Sequence, residues 1–289
     1  MTSQKQSVSG WGVKWPAPAK LNLMLRITGR REDGYHLLQS VFQLIDLCDW
    51  LTFHPVEDGS ISLLNPIPGV PEQTDLTIRA ANLLRQASGC ELGVAIEIEK
   101  NLPMGGGLGG GSSDAATTLL ALNHLWGLAF SIEKLMELGL SLGADVPVFV
   151  YGYSAWAEGV GEKLTPMILP EDWFLIIKPD CHVNTREIFL SEGLTRDSNV
   201  IKITDFTEGL IDNDCTQVVR SLYPAVDDAL TELSRVGVSR LTGTGACVFA
   251  QYSNKDKALE ASRFLKNLGQ VYIAKGVNRS PVYEILSSE

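Results

Sequence analysis

The chain has 289 residues, with 24 Lys and Arg against 34 Asp and Glu, and a formal net charge of −10 at pH 7. Hydrophobic residues make up 45% of it and charged residues 20%, a composition that excludes intrinsic disorder as the main state. A protein that neutralises nucleic-acid phosphates needs net positive charge, so nucleic acid is not expected as a partner. At about 150 residues per domain, the length fits two domains or one large one.

The sequence favours a cytoplasmic protein with no membrane segment. Residues 1–15 lack the apolar core of a signal peptide, and no later stretch approaches the roughly 18 apolar residues that a membrane span needs. The five cysteines lie far apart, without a C-x-x-C pair. Neither a zinc site nor a disulfide framework is therefore indicated, and no metal-ligating residues are assigned.

The first part of the chain predicts strands and then a helix. Apolar and polar residues alternate over 21–28, the period of a half-buried strand. Strand-like runs at 41–47, 51–53 and 61–64, with turn residues between them, predict an antiparallel meander. Thr74 is a plausible N-cap for the helix that follows.

The next part of the chain predicts a strand at 94–99, a glycine-rich loop, and helices over 112–126 and 131–142. Pro147 predicts an extended conformation at Val146, before an apolar run at 148–151.

A Gly- and Pro-rich stretch between predicted strands at 154–158 and 173–177 indicates a domain boundary. We therefore expect an N-terminal domain of residues 1–160 and a C-terminal domain of residues 161–289. Beyond the boundary the pattern predicts helices near 185–190, 214–222, 226–236 and 255–268, and strands at 247–252 and 271–275. Strands followed by runs of helix, without strict alternation, favour an α+β fold over a doubly wound parallel sheet.

The glycine-rich loop is the first segment that indicates chemistry. Residues 105–111 hold six glycines in seven positions, far more than a turn needs, and ordering them costs backbone entropy. Close approach of a ligand to main-chain N–H groups explains the excess. A helix beginning at Ser112 adds unpaired N–H groups and the positive end of its dipole, so the segment predicts a phosphate site rather than a solvated loop.

Two familiar phosphate-loop types fit this segment poorly. Walker A requires a Lys before the Ser, where this chain has Gly111. The dinucleotide fingerprint is formally met by Gly105, Gly107 and Gly110, but no ribose-binding acid follows about 20 residues on. A hydride-transfer enzyme is therefore a distant alternative.

Three segments in order along the chain, residues 18–23, 103–116 and 243–247, resemble the three motifs of the GHMP kinases (galactokinase, homoserine kinase, mevalonate kinase and relatives). Their flanks at 26–36, 143–149 and 241–249 resemble the bacterial GHMP kinases that phosphorylate 4-diphosphocytidyl-2-C-methyl-D-erythritol. The resemblance covers essentially the whole chain. It implies a two-domain fold, with an N-terminal ATP-binding domain, a smaller C-terminal domain and an active-site cleft between them.

The same resemblance implies that ATP and Mg²⁺ are used to phosphorylate the 2-hydroxyl of this cytidine diphosphate-linked methylerythritol, on the route to isoprenoids. By this resemblance, the residues of this chain that contact ATP would be Lys100, Pro103, Met104, Gly105, Gly106, Gly107, Leu108, Gly109, Gly110, Gly111, Ser112 and Ser113. Ser112 and Ser113 would donate hydroxyl groups or help to hold Mg²⁺. Ser112 is also expected to be the N-cap of its helix.

Asp145 matches the catalytic base of these kinases and Lys20 matches its partner lysine. A tertiary alcohol is a weak nucleophile, so a carboxylate is needed to take its proton. From spacing alone, a turn cap at Asp145 and a solvated strand residue at Lys20 would be the simpler interpretation. The family match reverses that preference for both residues.

The substrate-binding residues implied by the resemblance are Asn22, Tyr35, His36, Thr185 and Phe189. Tyr35, His36 and Phe189 match positions around the cytosine, where flat aromatic faces suit a pyrimidine. One departure is Asp75, which stands where the family commonly has Asn at the start of a helix that helps to recognise adenine. A carboxylate accepts hydrogen bonds but does not donate them as an amide does.

Two alternatives remain open on the sequence. Another alcohol, such as mevalonate or homoserine, would not need the aromatic set. A nucleotide-binding protein without catalysis would lack the acid and lysine pair. The sequence does not indicate the oligomeric state.

Overall fold

The computed structural model describes residues 10–287, so residues 1–9 and 288–289 of the two predicted domain ranges lie outside it. In this part of the chain the strands are β1 (Lys14–Arg30), β2 (His36–Val56), β3 (Ile61–Leu63), β4 (Gly93–Glu99), β5 (Ala155–Glu158), β6 (Lys163–Pro166), β7 (Trp173–Lys178), β8 (Arg240–Leu241), β9 (Val248–Tyr252) and β10 (Gln270–Val277). The helices are α1 (Leu76–Ser88), α2 (Gly110–Leu125), α3 (Ile132–Leu142), α4 (Val146–Tyr151), α5 (Thr185–Leu190), α6 (Ile203–Thr207), α7 (Thr216–Leu222), α8 (Pro224–Leu233), α9 (Lys255–Ser262) and α10 (Val282–Leu286).

The long antiparallel pair β1 and β2 is the spine of the sheet. The two separate strands predicted at 41–47 and 51–53 are wrong, because β2 runs unbroken through both. Asp49, which lies between the two predicted strands, and Asp46 both accept hydrogen bonds from backbone groups outside β2. Asp46 Oδ1 accepts a hydrogen bond from the Lys275 N–H, and Asp49 Oδ1 accepts from the N–H groups of Asn101 and Leu102.

The strand order corrects the predicted meander. The sheet runs β3-β4-β2-β10-β7-β9-β8, with β1 and β5 also paired to β2. β3 pairs with β4, in parallel, and does not continue from β2. A parallel neighbour needs a crossover connection, which α1 supplies between the two strands. The mixture of an extended sheet with helices confirms the α+β class.

The last strand connects the early and late parts of the sheet. Residues 270–275 of β10 pair with β7, while Gly276 and Val277 pair with Ile45 and Leu44 of β2. One apolar core packs α1 to α4 against β1, β2 and β4, and a second packs α7, α8 and α9 against β7 and β9. A third core joins residues of the early strands β1 and β2, such as Leu21 and Ile45, to residues of the late strands β7 and β9, such as Phe174 and Phe249. The boundary after residue 160 stays a prediction.

Helix starts differ from the sequence predictions at two places. Thr74 is not the N-cap of α1, because its hydroxyl donates to the Pro71 carbonyl. Asp75 is the N-cap, and its Oδ1 accepts from the Thr77 and Ile78 N–H groups at 2.8 and 3.2 Å. Val146 is not extended either. Pro147 lies in the first turn of α4, where a missing N–H costs nothing.

The later elements follow their predictions closely. The helix predicted over 255–268 is shorter, since α9 ends at Ser262 and a separate 3₁₀ turn covers Lys266–Leu268.

Among residues 10–287, none of the helices has the length and apolar character required to traverse a bilayer.

The cap of α1 gives a direct stability test. Asp75→Ala should lower the free energy of unfolding by about 1 kcal/mol, because two N–H groups at the helix start lose their acceptor. Asp75→Asn keeps a side-chain oxygen there and is the matched control. Urea unfolding measures both variants, and an equal loss in the two would contradict the capping role.

Candidate active site

Two cavities meet at the glycine loop, residues 103–113. The first, the glycine-loop cavity, has a volume of about 360 Å³, and its lining includes residues 102–112, Asp75, Lys100 and Asp114. The second, the Lys20 cavity, has a volume of about 900 Å³. Its lining includes Lys20, Asn22, Tyr35, His36, Asp145, Thr185 and Phe189. Gly107 and Ser112 line both cavities, which therefore adjoin at these two residues.

The glycine loop packs against the segment 242–247, which comes from the other end of the chain. The N–H groups of Ala246 and Cys247 donate to the carbonyls of Gly105 and Gly106 at 3.3 and 3.1 Å. A Cβ on Gly106 would lie 2.6 Å from Cys247 Sγ. Protein packing therefore requires a glycine here, in addition to the ligand approach that the sequence suggested.

Gly107 is the most constrained glycine of the loop. Its φ of +74° lies in the left-handed region, and a Cβ would lie 2.5 Å from the Thr242 carbonyl oxygen and 2.9 Å from that of Gly245. Both neighbours are backbone atoms, which cannot move without displacing the segment 242–247.

The start of α2 suits an anion. The expectation that Ser112 caps this helix is wrong, because α2 begins at Gly110 with Gly109 as N-cap and has no side-chain cap. Uncapped N–H groups at a helix start are available to a phosphate. Ser112 is half-buried at the junction of the cavities, whereas Ser113 lines neither, and its buried hydroxyl has no hydrogen-bond partner among the described residues.

Lys20 and Asp145 form an ion pair in the Lys20 cavity. Lys20 Nζ lies 3.3 Å from Asp145 Oδ2, and the side chains are 3% and 39% exposed. A solvated strand residue at position 20 is thereby excluded. Lys20 Nζ also donates to Asn22 Oδ1 at 2.6 Å and lies over the Phe42 ring. The ammonium group is fixed, while the carboxylate still reaches the cavity.

Asn22 is held on three sides. Its side-chain N–H donates to Ser40 Oγ at 2.9 Å, and its backbone N–H donates to Thr242 Oγ1 at 3.0 Å. Its side-chain oxygen accepts from Lys20. Asn22 is buried, so it orients Lys20 as well as lining the cavity.

An aromatic surface lines the far part of the Lys20 cavity. His36 and Phe189 are stacked, with ring centroids 4.9 Å apart and an interplanar angle of 22°. Burial lowers the pKa of His36, and the nearby charges of Arg196 and Arg30 lower it further, so the ring is neutral at pH 7. Tyr35 is 62% exposed at the rim.

Thr185 lies at the start of α5, and its Oγ1 is 2.9 Å from Thr244 Oγ1. The structure thus brings all five residues predicted to bind substrate to one cavity, together with both predicted catalytic residues.

Lys100 is placed differently from the other predicted ATP ligands. It lines the glycine-loop cavity, but its ammonium group is paired with the buried carboxylates of Asp49 and Asp114. Asp75 lines the same cavity, with its carboxylate committed to the α1 cap.

The sequence analysis did not identify Asp49 or Arg186 as residues of the site. Asp49 is a fully buried carboxylate within the apolar strand β2, and a lone charge in an apolar run was the available signal. Arg186, which lines the Lys20 cavity, follows Thr185 directly and carried no signal of its own.

Comparisons with known proteins identify the family and the fold. The family model for the GHMP kinases N terminal domain matches residues 75–153, and the model for GHMP kinases C terminal matches residues 204–271. A crystal structure of homoserine kinase from Cytophaga hutchinsonii shares the fold, with a TM-score of 0.71 at 17% identity over 97% of this chain and 98% of that one. The family models and the fold together define a GHMP kinase, an enzyme class that uses ATP.

More similar relatives narrow the class. The 4-diphosphocytidyl-2-C-methyl-D-erythritol kinase of Nitrosococcus oceani is 56% identical over 94% of this chain and 97% of its own length. That of Methylococcus capsulatus is 52% identical over 95% of each. A crystal structure of 4-(cytidine 5'-diphospho)-2C-methyl-D-erythritol kinase gives a TM-score of 0.80 at 32% identity, covering 91% of this chain and 99% of that one. The chain belongs to the 4-diphosphocytidyl-2-C-methyl-D-erythritol kinase family.

The contact at Gly107 provides a test of the site's framework. Gly107→Ala should lower the free energy of unfolding by roughly 2 to 5 kcal/mol, because it adds left-handed strain to a collision with backbone. Gly111→Ala is the matched control, since its Cβ would meet no atom closer than 3.6 Å. Denaturant unfolding measures both, and a Gly107 variant as stable as the control would refute the packing argument.

Proposed function

We propose that the chain transfers the γ-phosphoryl group of ATP to the 2-hydroxyl of 4-diphosphocytidyl-2-C-methyl-D-erythritol. The observation that carries this proposal is the Lys20–Asp145 ion pair, which lines a cavity that shares Gly107 and Ser112 with the glycine-loop cavity. A phosphoryl donor and an alcohol bound in the two cavities would meet at these residues.

The residues of the glycine loop would bind the ATP phosphates. The loop's main-chain N–H groups and the uncapped start of α2 are the donors, and Ser112 adds a hydroxyl at the junction. Ser112 would also help to hold Mg²⁺, which would offset negative charge on the transferring phosphoryl group.

Asp145 would act as the general base. Its carboxylate takes the proton of the 2-hydroxyl as that oxygen bonds to the γ-phosphorus, and the bond from phosphorus to the ADP oxygen breaks. Lys20, fixed by Asn22, holds the carboxylate in place and offsets negative charge near the transferring group. Asp145 is the more exposed of the pair, so it can face a substrate while Lys20 stays buried.

The aromatic surface would bind the cytosine. The 4.9 Å separation of His36 and Phe189 leaves no room for a base between them, so the base would stack on an outer face of the pair. Tyr35 supplies a further aromatic face at the rim. His36 Nε2 is buried without a hydrogen-bond partner among the described residues, so only Nδ1 is left to contact the polar edge of a pyrimidine. Mevalonate and homoserine have no flat group that would use this surface.

The substrate is tested by ADP release from ATP with three alcohols offered in parallel. We expect turnover with 4-diphosphocytidyl-2-C-methyl-D-erythritol and at least a hundredfold lower kcat/KM with mevalonate or homoserine, because these lose the aromatic contacts. Phosphorylation of mevalonate or homoserine with equal efficiency would refute the assignment.

The base is tested by substitution. Asp145→Asn should lower kcat by about 10² to 10⁴, the usual contribution of a general base, and change both KM values little. Asp33→Asn is the matched control, because Asp33 lines the same cavity but is paired with Arg31 at 2.7 Å. Full turnover by the Asp145 variant would remove this residue from the mechanism.

A further inference from the structure

A buried charge cluster lies beneath the glycine loop, apart from the Lys20–Asp145 pair. Lys100 Nζ donates to Asp114 Oδ2 at 2.7 Å and to Asp49 Oδ2. The side chains of Asp49 and Asp114 are 0% and 3% exposed, and that of Lys100 is 21% exposed. We call these three residues the Lys100 cluster.

The Lys100 cluster touches both ends of the loop. Asp49 Oδ1 accepts from the N–H groups of Asn101 and Leu102, at 2.6 and 2.8 Å, where the chain enters the loop. Asp114 lies in α2, just after the chain leaves the loop. Lys100 joins the two carboxylates, so one ammonium group ties β2, the loop entry and the loop exit together.

Stability alone is a poor explanation for such a cluster. Buried ion pairs pay a large desolvation cost, and well-packed apolar residues often replace them without loss. Here two carboxylates share one ammonium group, and Asp114 Oδ1 is buried without a hydrogen-bond partner among the described residues. Burial raises the pKa of Asp114, although Lys100 opposes that shift. An arrangement this costly is more readily explained by the geometry that it imposes on the loop.

We propose that Asp49, Lys100 and Asp114 are positioning residues, which hold the two ends of the glycine loop so that its N–H groups converge on the ATP phosphates. This inference rests on the proposed function, since it takes ATP as the ligand of the loop. Lys100 acts through the loop, with its ammonium group committed to the carboxylates. A binding site is precise only when a supporting shell fixes its ligating groups.

The test compares Asp114→Ala with Asp114→Asn. Loss of the link in Asp114→Ala should raise the Kd for ADP with Mg²⁺, and the KM for ATP, about tenfold, while the KM for the alcohol changes less than about twofold. Asp114→Asn keeps an oxygen that accepts a hydrogen bond from Lys100. It should restore the Kd for ADP and the KM for ATP to within about threefold of wild type. Calorimetric titration gives the Kd, at a temperature below the melting point of each variant.

Glu99→Gln is the matched control. Glu99 precedes Lys100 in the chain, and its ion pair with Lys14 is exposed to solvent. Removing that pair should leave the Kd for ADP and both KM values unchanged. Three outcomes would overturn the inference: an unchanged Kd for ADP in Asp114→Ala, an equal rise in both KM values, or Asp114→Asn binding no better than Asp114→Ala.

The proposed function fails separately from this inference. If the wild-type protein binds ADP but phosphorylates none of the three alcohols, the function is wrong, and the ADP titrations of the variants still decide whether the Lys100 cluster positions the loop.

Discussion

The contact between the glycine loop and the segment 242–247 is the constraint on which the site depends. Main-chain N–H groups of Ala246 and Cys247 bind the carbonyls of Gly105 and Gly106, and Gly107 has no space for a Cβ. Because these hydrogen bonds hold the loop against the segment 242–247, the loop has a defined shape before any ligand binds. A preorganised loop avoids an ordering cost on binding phosphate.

This contact also joins distant parts of the chain at the cleft. Thr242, in the same segment, accepts from the Asn22 N–H on β1, and Asn22 in turn accepts from Lys20. A hydrogen-bonded path therefore runs from the glycine loop to the Lys20–Asp145 pair. The loop that would hold the donor and the pair that would activate the acceptor are built on one framework, as in-line phosphoryl transfer requires.

Much of the fold and site could be predicted because local patterns carry them. Alternation, helical spacing and glycine placement anticipated most strands and helices. Motif resemblance named seven catalytic and substrate-binding residues, and all seven line one cavity of the structure. The errors occur where tertiary contacts override local signals. β2 continues through Asp46 and Asp49 because β10 and the loop entry satisfy their carboxylates, and Gly109 rather than Ser112 precedes α2.

The sequence by itself determined the α+β class and membership in a kinase family, and it predicted a phosphate loop at residues 103–113, since these depend on periodicity, on motifs in order and on glycine content. Only the tertiary structure decided that Lys20 is buried against Asp145, that His36 stacks on Phe189, and that Lys100 lies between Asp49 and Asp114. The reason is physical. Burial and pairing of charges arise from contacts between residues far apart in the chain, which local patterns do not record.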